Sequence, residues 1–479
     1  MMKSFSCLIT LLATASHPVS GGGSHSDLLH PFSLLSRRSV YDPATFGSHA
    51  MHNPQVWIDM FRKDTASFAA RAAEIDPKRS ADFSGAFSRI LSELSLQGGP
   101  GLNCVALCRL REECLRAAGF EDIFESVKRE ENAAALRLLP SVLAYLDEED
   151  VRWVAEDPRR RRRDAASAER ARERLRRALC GVFAGNIFDL GAAASIERFE
   201  KAKAGAGSGG AESGNAESDA PPAGFVATSE WVRNRPLAVD HVGEFLDRAL
   251  PLPQKGLLEY RKVLIFVDNC GADLVCGVLP FVRDLFLAAD GGAGGGLEVV
   301  LCANERPSIN DVTAEELQKI LQSLVVSASA SASSEEASES YSQSSESSEP
   351  SEGLALLASC VESGRLRVVS TGNDMPVIDL RRVSRALDDE ALAGCDLCVF
   401  EGMGRGIETN LRTTLAVDSL NLGMVKHHEV AHLLGGSLYD SVCAFKKGTG
   451  EDVHDTETGP VAKLPWRRMI GDWREPHDF

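Results

Sequence analysis

Three things are scarce in this 479-residue chain, and each argues against a class of function. Positive charge is the first: 52 Lys and Arg stand against 69 Asp and Glu, a formal charge of −17. Such a surface repels a polyanion unless a basic patch is set apart, so no nucleic-acid partner is expected. Long apolar runs are the second. None approaches the roughly 20 residues that a membrane-crossing helix needs, so no membrane partner is expected either. The third is paired cysteine spacing. The 12 cysteines are scattered singly, many beside aliphatic residues in apparent strands (Cys276, Cys302, Cys398, Cys443), as buried hydrophobes of a reducing compartment would be. Cys395 and Cys398 do form a CxxC, but strand alternation would turn them to different faces, and no second pair completes a zinc set.

The one obvious basic patch opens with five arginines at 159–163 and continues through Arg170, Arg172, Arg174, Arg176 and Arg177. Arg alternates there with Ala and Glu, as on the solvated face of a long helix, a reading preferred to nuclear import or phosphate binding. At the N-terminus Lys3 precedes an apolar run, and Ala13-Thr14-Ala15 has the small-residue form of a signal cleavage site. Embedded Ser and Thr and the unpaired cysteines weigh against secretion. Residues 1–50 therefore read as a disordered leader, with the cytoplasm as the expected location and organellar targeting or secretion left open.

From 51 to 202 apolar residues recur at helical spacing, as in Val56, Met60 and Phe61, which predicts an all-helical domain. Residues 203–224 are Gly, Ala, Ser and Glu, too polar to offset ordering entropy, and read as a flexible linker. The pattern then changes. Between 225 and 447 short β-branched runs at 263–267, 297–303, 366–370, 396–401 and 422–426 alternate with helical stretches, which predicts an α/β fold with a Rossmann-like, doubly wound, mostly parallel sheet. Residues 327–352, almost wholly Ser, Glu and Ala, read as a disordered insertion in that domain, and 448–479 as a tail.

Ligands of an open α/β sheet bind beyond the carboxyl ends of its strands, so the strand exits are where chemistry is sought. The first exits into Asp268-Asn269, followed by Cys270-Gly271-Ala272-Asp273, and the second into Asn304-Glu305 and then Asn310-Asp311. The third gives Gly372-Asn373-Asp374, the fourth Glu401-Gly402-Met403-Gly404-Arg405, and the fifth ends at Lys426. Asp268, Asn269 and Asp311 supply hard oxygens suited to Mg²⁺ or Mn²⁺, Lys426 a point charge for phosphate, and Arg405 a bidentate clamp. Each element alone has a plainer reading as a turn or helix cap. Convergence at one sheet edge favours a site. No GxGxxG follows the first strand, which argues against a nucleotide-binding Rossmann enzyme.

The runs VLIFVDNCGADLVCGVLPFVRDLF, ANERPSINDVT, TGNDMPVIDLRRVS, EGMGRGIETNL and SLNLGMVKH resemble subfamily II of the damage-control phosphatases, the domain-of-unknown-function-89 proteins. The likeness extends to LCRLREECLRAAGFEDIF and GVFAGNIFDLGA, and includes the phosphatase half of pantothenate-kinase-4-type proteins. It implies that Asp268, Asn269 and Asp311 bind Mn²⁺, Ni²⁺, Co²⁺ or Mg²⁺ and that Asp268, Asp311 and Lys426 carry the catalysis. It further implies that Glu401, Gly402, Met403, Gly404 and Arg405 line the substrate pocket with Asn373, and that Asn186 and Asp189 close over it. The implied substrate is a small phosphorylated metabolite, 4′-phosphopantetheine and its oxidised or damaged forms. A sugar-phosphate phosphatase, a phosphometabolite-sensing module and an aspartyl-phosphate route through Asp268 remain alternatives, and a homo-oligomer stays open. Cys270 stands where the family has Ser, which raises the expectation of an oxidation-sensitive site or an altered metal preference.

Overall fold

The computed structural model describes residues 29–36, 38–43, 54–96, 102–157, 166–187, 222, 224–251, 258–290, 296–338 and 352–450. They belong to two compact units, one containing Gly47–Phe124 and the other His30–Phe46 with Glu125–Thr456. The first holds helices α1 (Pro54–Ile75), α2 (Pro77–Leu96) and α3 (Cys104–Ala117). Pro77 suits the first turn of α2 because it has no N–H to leave unpaired. The Asp76 carboxylate before it accepts from the N–H groups of Lys78 and Arg79 at 2.9 and 3.0 Å. Phe83, Phe87 and Leu91 then follow at i, i+4 spacing as the buried stripe of α2.

The second unit opens with α4 (Glu125–Glu156), α5 (Ala166–Ile187) and α6 (Phe225–Arg233). Helices α4 and α5 are not part of a separate helical domain, as the expected 51–202 boundary had them. Leu139, Val142, Leu143, Leu179 and Val182 share one core with Val263, Ile265, Val299 and Leu301 of the sheet. The helical periodicity was right, but periodicity does not say what the apolar stripe packs against.

The sheet has seven strands: β1 (Leu237–Asp240), β2 (Lys262–Phe266), β3 (Glu298–Ala303), β4 (Leu366–Ser370), β5 (Leu397–Glu401), β6 (Asp418–Met424) and β7 (Ser441–Lys446). The helices between and beside them are α7 (Val242–Ala249), α8 (Leu279–Asp290), α9 (Ala314–Ser338), α10 (Glu352–Glu362), α11 (Arg385–Leu392) and α12 (His428–Leu434). The order is β1-β7-β6-β5-β2-β3-β4, parallel throughout except between β6 and β7. Strands β2, β5 and β6 are buried along their whole length, as expected where both faces are covered. From β2 the chain winds outward through β3 and β4, then returns to the other side of β2 with β5. That reversal is the switch point where doubly wound sheets bind ligands. No helix among the described residues is long and apolar enough to cross a membrane.

Several expectations are corrected. Residues within the supposed disordered leader pack on the sheet: Phe32 is fully buried edge-on to Phe266, and the N–H groups of His30 and Phe32 donate to Val383 and Leu380. Residues 327–338 of the Ser/Glu insertion continue α9, whose Ser327 and Ser329 hydroxyls donate to the Ser323 and Val325 carbonyls. Residues 339–351 lie outside the described residues, as do the arginines at 159–163, the linker at 203–221 and the tail from 451. The Arg face of α5 is solvated only in part: Arg176 is exposed, but the others are engaged. Arg170 and Arg174 converge on buried Asp150 of α4, and Arg172 donates to the Leu246 and Leu250 carbonyls at the end of α7. Cys395 and Cys398 do not diverge, because Cys395 precedes the strand; their sulfurs lie 3.7 Å apart. Cys276 sits in a π-helical turn, Asp273–Val278, rather than a strand.

Candidate active site

Two strand exits flank the switch point, β2 into Asp268-Asn269 and β5 into Glu401-Gly402. The Asp268 N–H donates to Glu401 Oε2 at 2.9 Å, tying the exits together. The segment after β3 is laced to the same place: Asn269 and Asp311 face each other as an antiparallel pair, the Cys270 N–H donates to the Asn310 carbonyl, and the Val312 N–H to the Asp268 carbonyl. Just before it Ile309 holds φ 45°, a conformation a β-branched side chain rarely accepts. Such strain persists only where surrounding contacts enforce it.

Glycine is required twice in the loop after β5. Gly402 has φ 96°, and a Cβ there would collide with the Asp268 carboxylate. At Gly404 a Cβ would lie 2.5 Å from the Pro376 carbonyl oxygen. The chain then enters a π-helical turn, Met403–Thr409, which turns Arg405 into the protein.

Arg405 is 2% exposed. One guanidinium nitrogen pairs with Asp268 Oδ1, and the other donates to Asp311 Oδ2 at 2.7 Å and Asn304 Oδ1 at 2.9 Å. Burial opposes its charge, but Asp311 and Asp268 outweigh burial and hold its proton more tightly than in water. Asn304 completes the clasp by donating its own amide to Asp311 Oδ2 at 3.1 Å. Behind it, the Asn373 amide donates to Asn304 Oδ1 at 3.0 Å and to the Met375 and Val377 carbonyls. The Asn373 amide nitrogen therefore supports Asn304.

On the other flank, Asn269 Nδ2 donates to Asp268 Oδ2 at 3.1 Å and to Asp273 Oδ2 at 2.9 Å. Asn186 of α5 donates to Asp273 Oδ2 at 3.0 Å and Glu401 Oε1 at 3.3 Å, and accepts from the Met424 N–H at the end of β6. Burial first, then Asp273 and Asp268, push the Glu401 carboxyl well above the usual carboxylate range. Lys426 lies two residues past β6, with its backbone N–H on the Met403 sulfur at 3.3 Å. Asp189 lies outside the described residues.

Among the described residues no three His, Cys, Asp or Glu side chains gather as a metal cluster; the set on offer is two carboxylates and an amide. Its chemistry nevertheless fits a divalent ion. Asp268, Asp311 and the Asn269 amide oxygen are hard donors, and Asn269 already spends its N–H groups on carboxylates. Arg405 pairs with Asp268 and Asp311, and Asp273 and Glu401 are buried beside them.

The structure changes the reading of Cys270. It is 2% exposed, and burial, then Glu316, pushes its thiol well above the usual range, which disfavours the thiolate that oxidants attack. Asn304 and Asp273 were visible in the sequence only as polar residues after strands. Nothing in their spacing distinguished them from turn formers, because their partners come from other loops.

A family model, the damage-control phosphatase ARMT1-like domain, matches residues 57–442. A damage-control phosphatase of Arabidopsis thaliana is 36% identical over 414 residues, covering 84% of this chain and 90% of that protein. Pantothenate kinase 2 of the same plant is 32% identical over 87% of this chain, and the 4′-phosphopantetheine phosphatase of Mus musculus 29% identical over 72%. The matches cover only 42% and 38% of those two longer proteins. By the extent of the domain match and by this kinship, the chain belongs to the damage-control phosphatase ARMT1-like family.

Proposed function

We propose that this chain is a metal-dependent phosphatase of small phosphate monoesters, with 4′-phosphopantetheine and its oxidised or damaged forms as the substrate class. The observation that carries the reading is the convergence of Asp268, Asn269, Asp311 and Arg405 at the β2/β5 switch point. Support for the substrate class comes from the mouse relative, a 4′-phosphopantetheine phosphatase. Mn²⁺, Ni²⁺, Co²⁺ and Mg²⁺ are the candidate ions, held by Asp268, Asn269 and Asp311. When bound, such an ion supplies Lewis acidity that activates water and offsets charge on the phosphoryl oxygens.

The chain's own residues do the rest. Glu401 fixes the Asp268 backbone and Asn269 its carboxylate, and Asn304 fixes Asp311, so the ligand geometry is set before substrate arrives. Lys426, and Arg405 when free of the carboxylates, neutralise the phosphate. Both oxygens of Asp268 already accept, one from Arg405 and one from Asn269, which lowers its nucleophilicity. We therefore favour attack by water over an aspartyl-phosphate. Eleven described cysteines are free thiols, which fits the cytoplasm as the proposed location.

The test is a ranking of kcat/KM for 4′-phosphopantetheine, its sulfonate and a panel of sugar phosphates with each of the four ions. The reading expects the phosphopantetheine compounds to lead. Preference for a sugar phosphate would keep the phosphatase and replace its substrate.

A further inference from the structure

Arg405 occupies an unexpected place for a phosphate clamp. Its guanidinium lies along Asp268 and Asp311, the two carboxylates that the proposed function gives to the metal, and the Asn304 amide holds it there from one side while holding Asp311 from the other. A buried guanidinium and a divalent ion held on the same two carboxylates compete for their charge. Asp268 and Asp311 are buried, so withdrawing a cation from beside them is unfavourable.

We propose that Arg405 is a resident counter-cation that the metal displaces from Asp268 and Asp311, and that only the displaced guanidinium binds the substrate phosphate. This rests on the metal-dependent reading above. Binding would then be ordered. In the metal-free chain the guanidinium is already spent on carboxylates, so the phosphate pocket lacks one of its cations. Metal entry takes over Asp268 and Asp311 and releases a planar, two-pronged donor beside the new ion. The cost of moving Arg405 enters the metal's dissociation constant, because a ligand that must first shift its protein out of a stable arrangement binds more weakly than its contacts alone allow.

Two other roles for Arg405 predict different outcomes for metal binding. A clamp that never leaves the phosphate would affect phosphate binding and leave metal binding unchanged. A structural ion pair would position the carboxylates, so its loss would weaken metal binding. Displacement alone predicts that losing Arg405 strengthens one ligand and weakens the other.

The experiment is calorimetric titration of the metal-free full chain with Mn²⁺, then of the Mn²⁺-loaded chain with inorganic phosphate, for wild type, Arg405→Gln and Asn304→Ala. Arg405→Gln should bind Mn²⁺ about tenfold more tightly and, once loaded, bind phosphate at least about tenfold more weakly. Wild type without Mn²⁺ should bind phosphate far more weakly than wild type with it. Asn304→Ala keeps the charge but loosens the clasp, so it should tighten Mn²⁺ binding by a smaller factor, and it stands in if Arg405→Gln does not fold without metal. Unchanged or weaker Mn²⁺ binding in the variants, with wild type still releasing phosphate when loaded with Mn²⁺, overturns the displacement alone. No Mn²⁺ binding to wild type overturns both this inference and the proposed function.

Discussion

The Asp268 backbone N–H donates to the Glu401 carboxylate across the switch point, so the residue that ends β5 fixes the residue that follows β2. Glu401 is thereby a positioning group for a proposed metal ligand. Glu401→Ala should lower phosphate release about 100-fold, the order of loss expected from a misplaced reacting group. The metal-free variant should also bind Mn²⁺ more weakly. Retention of full activity would show that Asp268 needs no such anchor.

Gly402→Ala tests the same junction from its backbone. The added methyl meets Asp268, and the residue must hold φ 96°. Strain of this kind costs about 1–3 kcal/mol, so the variant should unfold at lower denaturant and lose most activity. A wild-type denaturation midpoint would contradict the close approach.

Phe32 tests whether the N-terminal segment is part of the fold. Its ring is fully buried against Phe266, which itself stacks on Phe400 of β5 at 4.6 Å. Phe32→Ala should cost about 3–5 kcal/mol, the range for deleting a buried aromatic side chain. A loss near zero in denaturant melts would place this segment outside the core.

Glu390 provides a pH signature away from the site. Hydrogen bonds from Arg367, then Lys262, bring its carboxyl from the ordinary 4.5 down to about 2, with burial opposing. A group whose folded pKa is depressed contributes fully above its unfolded pKa and loses that contribution as pH falls through the folded value. The window is therefore about pH 4.5 to 2. Allowing for solvent screening of this partly exposed network, the contribution is about 1–2 kcal/mol at neutral pH. The stability gap between wild type and Glu390→Gln should narrow between pH 6 and pH 3; a constant gap would contradict the assignment.

Peroxide should not act through Cys270. The thiol is buried among core residues and held protonated. Wild type and Cys270→Ser should lose activity in peroxide at the same rate. Selective protection by the serine variant would restore the expectation that the sequence alone raised.

How much was legible follows from where each signal resides. Runs such as KVLIF and LCVFE announce buried parallel strands because both sheet faces are covered, so β2 to β5 were found close to their true bounds. The fifth run starts four residues late, since β6 begins in the mixed DSLN segment. Strand β1 is three half-buried residues and one exposed, with no pattern to read. The acidic strand exits were legible as well. The Arg405 pairing with Asp268 and Asp311 was not, because a sequence gives the types of charges but not which of several partners each one meets. The same holds for Phe32, whose partners in the Leu380 to Val383 loop lie some 350 residues away.

The most direct test of the central claim is phosphate release from 4′-phosphopantetheine by chelator-stripped protein before and after Mn²⁺ is restored, with Asp268→Ala and Asp311→Ala alongside. The account predicts no release from stripped protein, recovery in wild type on adding Mn²⁺, and none in either variant. Release that persists without any divalent ion, or recovery in the Asp311→Ala protein, would contradict it.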